Sequence, residues 1–240
     1  MQILFEDNHC LVVNKTAGLP TQAPSHVPDS EESYVRGWLM SKKGKTEGKV
    51  YLGIPHRLDR PVSGVLLFAK SSKAAARLAE QFRDRQVEKT YWALVPNTPQ
   101  LPPDGEQAVW SDHLAKVEGE ARGLVLQGET PGSKAAESFA RILVREGEWA
   151  HLEVKPQTGR MHQIRLQCGH RGFPILGDIT YGSPFALASG SGLPNIALHA
   201  RRLIFLHPIR YEPITIEAPV PADWDKFPIG DLLRPSLGLP

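Results

Sequence analysis

The sequence predicts an α+β protein in which helices flank a mixed, mostly antiparallel sheet. Short apolar and β-branched runs follow one another with polar turns between them, which is typical of strands joined by hairpins. Two stretches, near residues 72–85 and 158–169, indicate well-formed helices. The sequence contains no glycine-rich phosphate loop, metal-binding helix or serine elbow. We therefore expect no nucleotide cofactor and no metal.

Composition excludes several classes of protein. The 240 residues are 41% hydrophobic and 22% charged, as in ordinary globular enzymes and unlike disordered chains. The formal net charge of +2 excludes a strongly basic tail but not a local basic groove. Cys10 and Cys168 are far apart and lack metal-ligand spacing. There is no signal-peptide pattern and no apolar run of about 20 residues, so we expect a cytoplasmic protein without membrane association.

The first half of the chain predicts four features in order. Residues 3–5 and 11–13 flank a polar turn and predict a hairpin. A short helix is expected around residues 34–40, and an apolar strand at 65–69. Ser71 or Ser72 can cap a helix over about 72–85, whose apolar residues recur on one face.

The second half predicts more strands and one helix. Strands are expected at 87–95, 107–116, 122–127, 137–144, 149–154, 196–206 and 214–218. The segment 96–134 is interpreted as an excursion from the main sheet, and 183–195 as a flexible loop. Thr158 is expected to cap a helix ending at Gly169 or Gly172, with Met161, Ile164 and Cys168 facing inward. Without internal repeats, residues 1–240 are expected to form one domain with an irregular tail at 219–240.

The segment 55–64 places one carboxylate, Asp59, among His56, Arg57 and Arg60. Flanking prolines stiffen it, and Ser63-Gly64 leads into the apolar strand. Such neighbours stabilise an ionised carboxylate, which would serve as a nucleophile or an electrostatic group at neutral pH. A structural salt-bridge cluster at the surface is the alternative explanation.

A second cationic segment lies at 160–171, where five basic residues have no acidic neighbour before Asp178: Arg160, His162, Arg165, His170 and Arg171. So much positive charge predicts an anionic partner, either a carboxylate elsewhere in the fold, phosphates, or both. A solvated helix face is the alternative, although no acidic residue supplies the usual spacing of four.

Four stretches of the chain resemble motifs of the RluA-like family of RNA pseudouridine synthases. The resemblance extends over roughly residues 3–218. The matching stretches are the opening hairpin (6–7, 12–15 and 17–19), an aspartate motif (56–60, 63–64 and 69–70), a tyrosine motif (89–91) and an arginine motif (158–166, 174–178 and 181–182). The chain begins at the catalytic domain, so an S4-type RNA-binding domain is not expected.

The resemblance implies the pseudouridine synthase fold and conversion of uridine to pseudouridine in structured RNA without cofactor or metal. Asp59 would attack the nucleotide or assist cleavage of its glycosidic bond. Arg165 would pair with Asp59. Tyr91, otherwise a packing residue, would stack on the uracil and take the C5 proton, and Leu166 would pack against the base.

The resemblance also implies an RNA-binding surface. Arg57 would fill the gap left by the flipped base. Phosphates would be held by Arg160, His162, Lys15 and the basic loop 42–49, with His56 and Arg60 alongside. The RNA would be a transfer RNA or large-subunit ribosomal RNA, and the protein a monomer.

Two alternatives have different requirements. A non-catalytic RNA-binding protein on the same scaffold is suggested by Pro61-Val62, which replaces a polar residue and threonine beside Asp59. A carboxylate glycosidase would need a second positioned carboxylate, for which Asp178 is the candidate.

Overall fold

The framework of the molecule is a long mixed sheet, seen in a computed structural model. The structure describes residues 1–23, 29–42, 44, 50–184, 186–188, 194–222 and 224. Most of the basic loop 42–49, part of the loop 183–195 and most of the tail 219–240 lie outside these residues. The expectations for those segments therefore stay predictions.

The strands form where the sequence shows apolar and β-branched runs. In chain order they are β1 (Gln2–Glu6), β2 (Cys10–Lys15), β3 (Ser63–Ala69), β4 (Glu88–Pro96), β5 (Ala108–Lys116), β6 (Gly123–Leu126), β7 (Lys134–Glu146), β8 (Trp149–Pro156), β9 (Leu187–Ala188), β10 (Pro194–Asn195), β11 (Leu198–Leu206) and β12 (Pro213–Glu217). Within the described residues, β9 and β10 make a separate small pair, and the other strands share one sheet.

The sheet order is β1-β2-β3-β11-β4-β8-β7-β5-β6, with β12 also paired to β11. Among the described strands of this sheet, β3 and β11 are parallel neighbours and the other pairs are antiparallel. The prediction of a mixed, mostly antiparallel sheet is confirmed. β11 joins two halves of the sheet, one containing β1–β3 and the other β4–β8.

Three helices accompany the sheet among the described residues: α1 (Glu31–Lys42), α2 (Ser72–Arg83) and α3 (Gln163–His170). The Ser71 side chain accepts the Ala74 N–H and caps α2, as its position predicts. Within the described residues, no helix combines the length and apolar character needed to span a membrane.

Alternation along the strands divides the core between two faces. Leu11 and Val13 of β2 join the cluster that contains Val35 of α1 and Ile164 of α3. Cys10 and Val12 point the other way, into a cluster with Leu78 of α2. This places α1 and α3 on the opposite side of the sheet from α2.

Two fold predictions are wrong. Strands β5 and β6 are not an excursion, because β5 pairs with β7 and extends the main sheet. Thr158 does not cap α3, which begins after His162; the Thr158 hydroxyl instead contacts Gln163 Oε1 at 2.7 Å and the Glu137 backbone N–H at 3.0 Å. With this later start, Met161 is 40% exposed and does not face the core.

Candidate active site

A cleft of about 1030 Å³ lies where the two halves of the sheet meet. The loop before β3 lines one side with Asp59, and β4 contributes Tyr91. The turn before α3 and the helix itself contribute His162 and Arg165. The fold therefore brings together three of the four predicted catalytic residues, which are more than 100 positions apart in sequence at the extremes.

The loop carrying Asp59 is fixed by a buried lysine. Lys15, at the end of β2, is fully buried, and its ammonium donates to the backbone oxygens of Leu19 (2.6 Å), Thr16 (2.9 Å) and Arg60 (3.2 Å). Burial lowers the pKa of Lys15 to about 7. The expectation that Lys15 holds a phosphate is wrong, because its ammonium donates to three backbone oxygens inside the protein. These hydrogen bonds position the loop that carries Asp59.

Two further contacts fix the same loop. The Thr21 hydroxyl donates to Leu58 O at 2.9 Å and accepts the Leu58 N–H at 3.1 Å. His56 accepts the Leu67 N–H on Nε2 at 3.0 Å and stacks on Phe82, and burial lowers its pKa to about 3. A neutral, partly buried imidazole does not bind phosphate as a cation, so the RNA-contact role expected of His56 does not fit the structure.

Arg165 is held between two carboxylates. It makes a bidentate pair with Asp178, Nε to Oδ2 at 2.7 Å and Nη2 to Oδ1 at 2.9 Å, and its Nη1 lies 3.5 Å from Asp59 Oδ2. Burial lowers the pKa of Arg165, but Asp178 and Asp59 outweigh burial and raise it above its ordinary value. The guanidinium is therefore a fixed cation whose remaining nitrogen faces Asp59.

Asp178 is a positioning group, not a second reactive carboxylate. Its side chain is 1% exposed, and both oxygens are occupied by Arg165. The glycosidase alternative requires a second reactive carboxylate, and Asp178 does not meet that requirement. Sequence reasoning identified the excess of positive charge but did not assign Asp178 as its main partner.

Tyr91 and Lys89 project from the same face of β4 into the cleft. Burial and then the negative charge of Asp59 raise the pKa of Tyr91 well above its ordinary value, so the phenol is protonated at neutral pH. Lys89 donates to Thr158 O at 3.3 Å, and burial, followed by repulsion from Arg85, lowers its pKa to about 8.

Leu166 is misassigned by the sequence argument. It lies in a separate small cluster with Leu114 and Ala136 and does not line the cleft. Apolar residues that do line the cleft include Ile164, which precedes Arg165 in α3, and Leu198 at the start of β11. Leu166 follows Arg165 directly in α3, and consecutive side chains on a helix point about 100° apart, so Leu166 faces Leu114 and Ala136 while Arg165 faces the cleft. Strand alternation alone gave no sign that Leu198 belongs to the site.

The cleft is strongly cationic. Among the described residues that line it, Asp59 is the only carboxylate. The cationic side chains around it are Arg57, Arg60, Arg83, Arg85, Lys89, Arg160 and Arg165. Arg57 is exposed, as expected for a group that meets RNA, whereas Arg60 donates to Gly18 O at 2.9 Å and Arg160 to Ala135 O at 2.9 Å. This charge distribution attracts a polyanion.

Potential metal ligands meet elsewhere, at Asp7, Cys10 and His207. His207 Nδ1 accepts two backbone N–H groups, so its Nε2 carries the proton that Asp7 Oδ2 receives at 2.7 Å. Burial raises the pKa of Asp7, but backbone N–H groups of Cys10 and His9 and the His207 contact lower it to about 2. These contacts occupy the ligand atoms of Asp7 and His207 and indicate a structural role.

Comparison with known proteins identifies the family. A model of the family described as RNA pseudouridylate synthase matches residues 9–170, which include Asp59, Tyr91 and Arg165. The chain belongs to the RNA pseudouridylate synthase family. Enzymes of this family are isomerases that convert uridine in RNA to pseudouridine, and membership supports an enzyme over a non-catalytic RNA-binding protein.

Curated relatives of this pseudouridine synthase act on two kinds of RNA by name. The ribosomal large subunit pseudouridine synthase D of Xylella fastidiosa is 34% identical over 232 residues, covering 93% of this chain and 67% of the relative. The tRNA pseudouridine synthase C of Pasteurella multocida is 34% identical over 238 residues, covering 93% of each chain.

Solved structures support the same fold for the synthase. Human RNA pseudouridylate synthase domain containing 4 superposes with a TM-score of 0.73 and 24% identity, covering 93% of this chain and 90% of that one. Human RNA pseudouridylate synthase domain containing 1 gives a TM-score of 0.69 and 23% identity, covering 92% and 83%. The predicted fold class is thus confirmed.

Proposed function

We propose that Asp59 is the reactive carboxylate with which this synthase isomerises a uridine in structured RNA. The observation that carries the proposal is the placement of Asp59 in a cationic cleft, facing a guanidinium that Asp178 fixes in place. Arg165 stabilises the ionised carboxylate and limits its orientation. The Asp59 side chain remains 32% exposed, so a substrate can reach it.

The reaction requires two bonds to break and two to form. The uracil N1–C1′ bond breaks, the base turns, C5 bonds to C1′, the C5 proton leaves and N1 gains a proton. Asp59 would attack the nucleotide or assist the cleavage. The protonated phenol of Tyr91 is suited to stacking on the uracil but is a weak base, which makes Asp59 the better acceptor for the C5 proton.

Substrate binding would require the target uridine to leave its stack, at a cost of a few kcal/mol. Arg57 is exposed at the cleft and can fill the space the base leaves. Arg160, together with Arg83 and Arg85, lines the cleft and would contact the phosphate backbone without reading sequence. Leu198 and Ile164 would provide the apolar contact to the base that was expected of Leu166.

Loss of the Asp59 charge tests the proposal. Asp59→Asn should abolish tritium release from RNA containing uridine tritiated at C5, while RNA affinity changes by less than about threefold. The matched control is Asp104→Asn, which removes an exposed carboxylate that pairs with Arg145 at 2.6 Å outside the cleft lining. Substantial turnover by purified Asp59→Asn protein would refute the assignment.

The substrate belongs to the classes that the relatives name, transfer RNA or large-subunit ribosomal RNA. Mapping pseudouridines in cells lacking the gene distinguishes them, because the missing site lies in one RNA or the other; an unchanged map in both would contradict the proposal. We further propose that residues 1–240 act as one monomeric catalytic domain in the cytoplasm.

A further inference from the structure

We propose that Tyr181 is a positioning residue that fixes the tautomer of His162 and thereby directs an N–H donor towards Asp59. The inference deepens the proposed function, since it depends on Asp59 as the reactive carboxylate. Tyr181 follows Asp178 by three positions in the short 3₁₀ helix Ile179–Tyr181.

The hydrogen bonds of the Tyr181 hydroxyl define its proton. The Gly123 N–H of β6 lies 3.0 Å from the hydroxyl oxygen, and a backbone N–H can only donate. His162 Nδ1 lies 2.8 Å from the same oxygen. Because the hydroxyl oxygen accepts the Gly123 N–H, we assign the hydroxyl proton to the hydrogen bond with His162 Nδ1. His162 Nδ1 is then an acceptor.

The neutral imidazole must consequently carry its proton on Nε2. That nitrogen lies 3.7 Å from Asp59 Oδ2, slightly beyond hydrogen-bond length. Catalytic hydrogen bonds often tighten only in the complex with substrate. The tautomer that Tyr181 selects therefore offers Asp59 a second donor beside Arg165. Because Nε2 carries the proton in this tautomer, that nitrogen cannot act as a base towards the cleft.

The backbone of His162 supports a selected position. His162 adopts φ of 53°, in the left-handed region that is unfavourable for residues other than glycine. Such a conformation persists where surrounding contacts hold it, and the Tyr181 hydroxyl is one of these contacts. The Tyr181 ring also lies under the Arg165 guanidinium, 5.0 Å from the ring centre.

Gly123 makes the approach of its N–H possible. A Cβ at this position would lie 2.9 Å from Ala115 O and 3.0 Å from a methyl carbon of Leu166. The hairpin formed by β5 and β6 is therefore linked through Gly123, Tyr181 and His162 to the cleft.

Burial of His162 favours the same neutral form. Burial lowers the pKa of His162; Asp59 and Asp178 raise it, and Arg165 lowers it, with a net decrease. A hydroxyl that donates to Nδ1 also stabilises the neutral ring. Loss of this hydroxyl should thus raise the pKa of His162 and allow an imidazolium to pair with Asp59.

Nitrogen NMR of protein labelled in histidine tests the tautomer without any turnover. Long-range proton–nitrogen correlations distinguish Nε2–H from Nδ1–H and from the charged ring, and His162→Gln identifies the signal by its loss. At pH 7 the wild-type ring should be neutral with its proton on Nε2. Tyr181→Phe should change this signal. The control is Tyr211→Phe, which should leave this signal unchanged. The Tyr211 ring lies under Arg77, 5.1 Å from its guanidinium, and is not part of the cleft lining.

Kinetics provide the second measurement. Tyr181→Phe should lower kcat about tenfold and leave KM within about twofold, as expected for one hydrogen bond acting on the reactive group. The acidic limb of the pH profile should move upward by about half to one pH unit. His162→Gln, whose amide can still donate to Asp59, should retain more activity than His162→Ala.

The outcomes separate this inference from the proposed function. A wild-type ring protonated on Nδ1, or charged at pH 7, would overturn the role of Tyr181 even if the enzyme is active. An unchanged pH profile in a folded Tyr181→Phe protein would do the same. Conversely, an Nε2–H tautomer in a protein that releases no tritium would leave the tautomer assignment intact and refute the proposed function.

Discussion

Removal of charge from the two carboxylates that contact Arg165 should have different main effects. Loss of the Asp178 charge should lower stability, and loss of the Asp59 charge should abolish turnover with little effect on stability. Asp178 and Arg165 have side chains 1% and 6% exposed, with contacts of 2.7 and 2.9 Å. Asp59 is 32% exposed and 3.5 Å away. Breaking a buried pair costs about 3–5 kcal/mol, whereas a partly exposed pair contributes about 0–1 kcal/mol. Asp178→Asn keeps one acceptor, so its cost should lie near 3 kcal/mol.

For a chain of this size, a loss of about 3 kcal/mol lowers Tm by about 6–12 °C. Asp178→Asn should show this shift together with a fall in kcat of about tenfold, because Arg165 loses its fixed orientation. The free energy of unfolding of Asp59→Asn should lie within about 1 kcal/mol of the wild-type value, and this variant should show no turnover. Urea titration followed by tryptophan fluorescence, with tritium release on the same preparations, measures both quantities.

The converse pattern would refute the assignment of roles. If Asp59→Asn destabilises the protein as much as Asp178→Asn, then Asp59 is part of a structural ion network and not a group kept free for substrate. If Asp178→Asn is fully active and stable, Arg165 does not need its bidentate partner. The claim that Asp178 fixes Arg165 in front of Asp59 would then be refuted.

Three further predictions concern other parts of the molecule. Arg57→Ala should weaken RNA binding and reduce the slope of log Kd against log salt by about 0.7–0.9, measured by fluorescence anisotropy, while Arg141→Ala on β7 should not. Gly64→Ala should prevent folding or lower stability by more than about 3 kcal/mol by calorimetry, because Gly64 has φ of 115° and its Cβ would lie 2.3 Å from Ala200 O. Since the pKa of Asp7 is lowered to about 2, its contribution to stability is complete above its unfolded pKa of about 4 and is lost as pH falls through 2. The difference between wild type and Asp7→Asn in urea should disappear over that pH range.

Local patterns predicted the strands and helices well, because apolar alternation and a serine cap act within a few residues. They predicted the hairpin of β1 and β2 but not how strands distant in sequence pair. Period-two patterns in 107–116 are the same whether a strand extends the main sheet or leaves it, so β5 was misplaced. The later start of α3 was also missed, since the left-handed His162 has no signature in sequence.

The candidate site was predictable where charge was conspicuous. Asp59 stands among cations, and the unpaired charge around Arg165 required an acid. The sequence could not show that Lys15 is buried, because its partners are backbone oxygens, which every residue supplies. Leu198 was missed for a related reason, since an apolar residue at a strand end is usually part of the core.

The position of β11 has a consequence for how the protein is made. During synthesis, residues up to 196 can form two separate sheet fragments, one bearing Asp59 and the other Tyr91 and Arg165. Until β11 emerges from the ribosome, β3 and β4 present open edges that can pair with other chains. Chains truncated before residue 198 should therefore aggregate, and catalytic competence should arise late in translation.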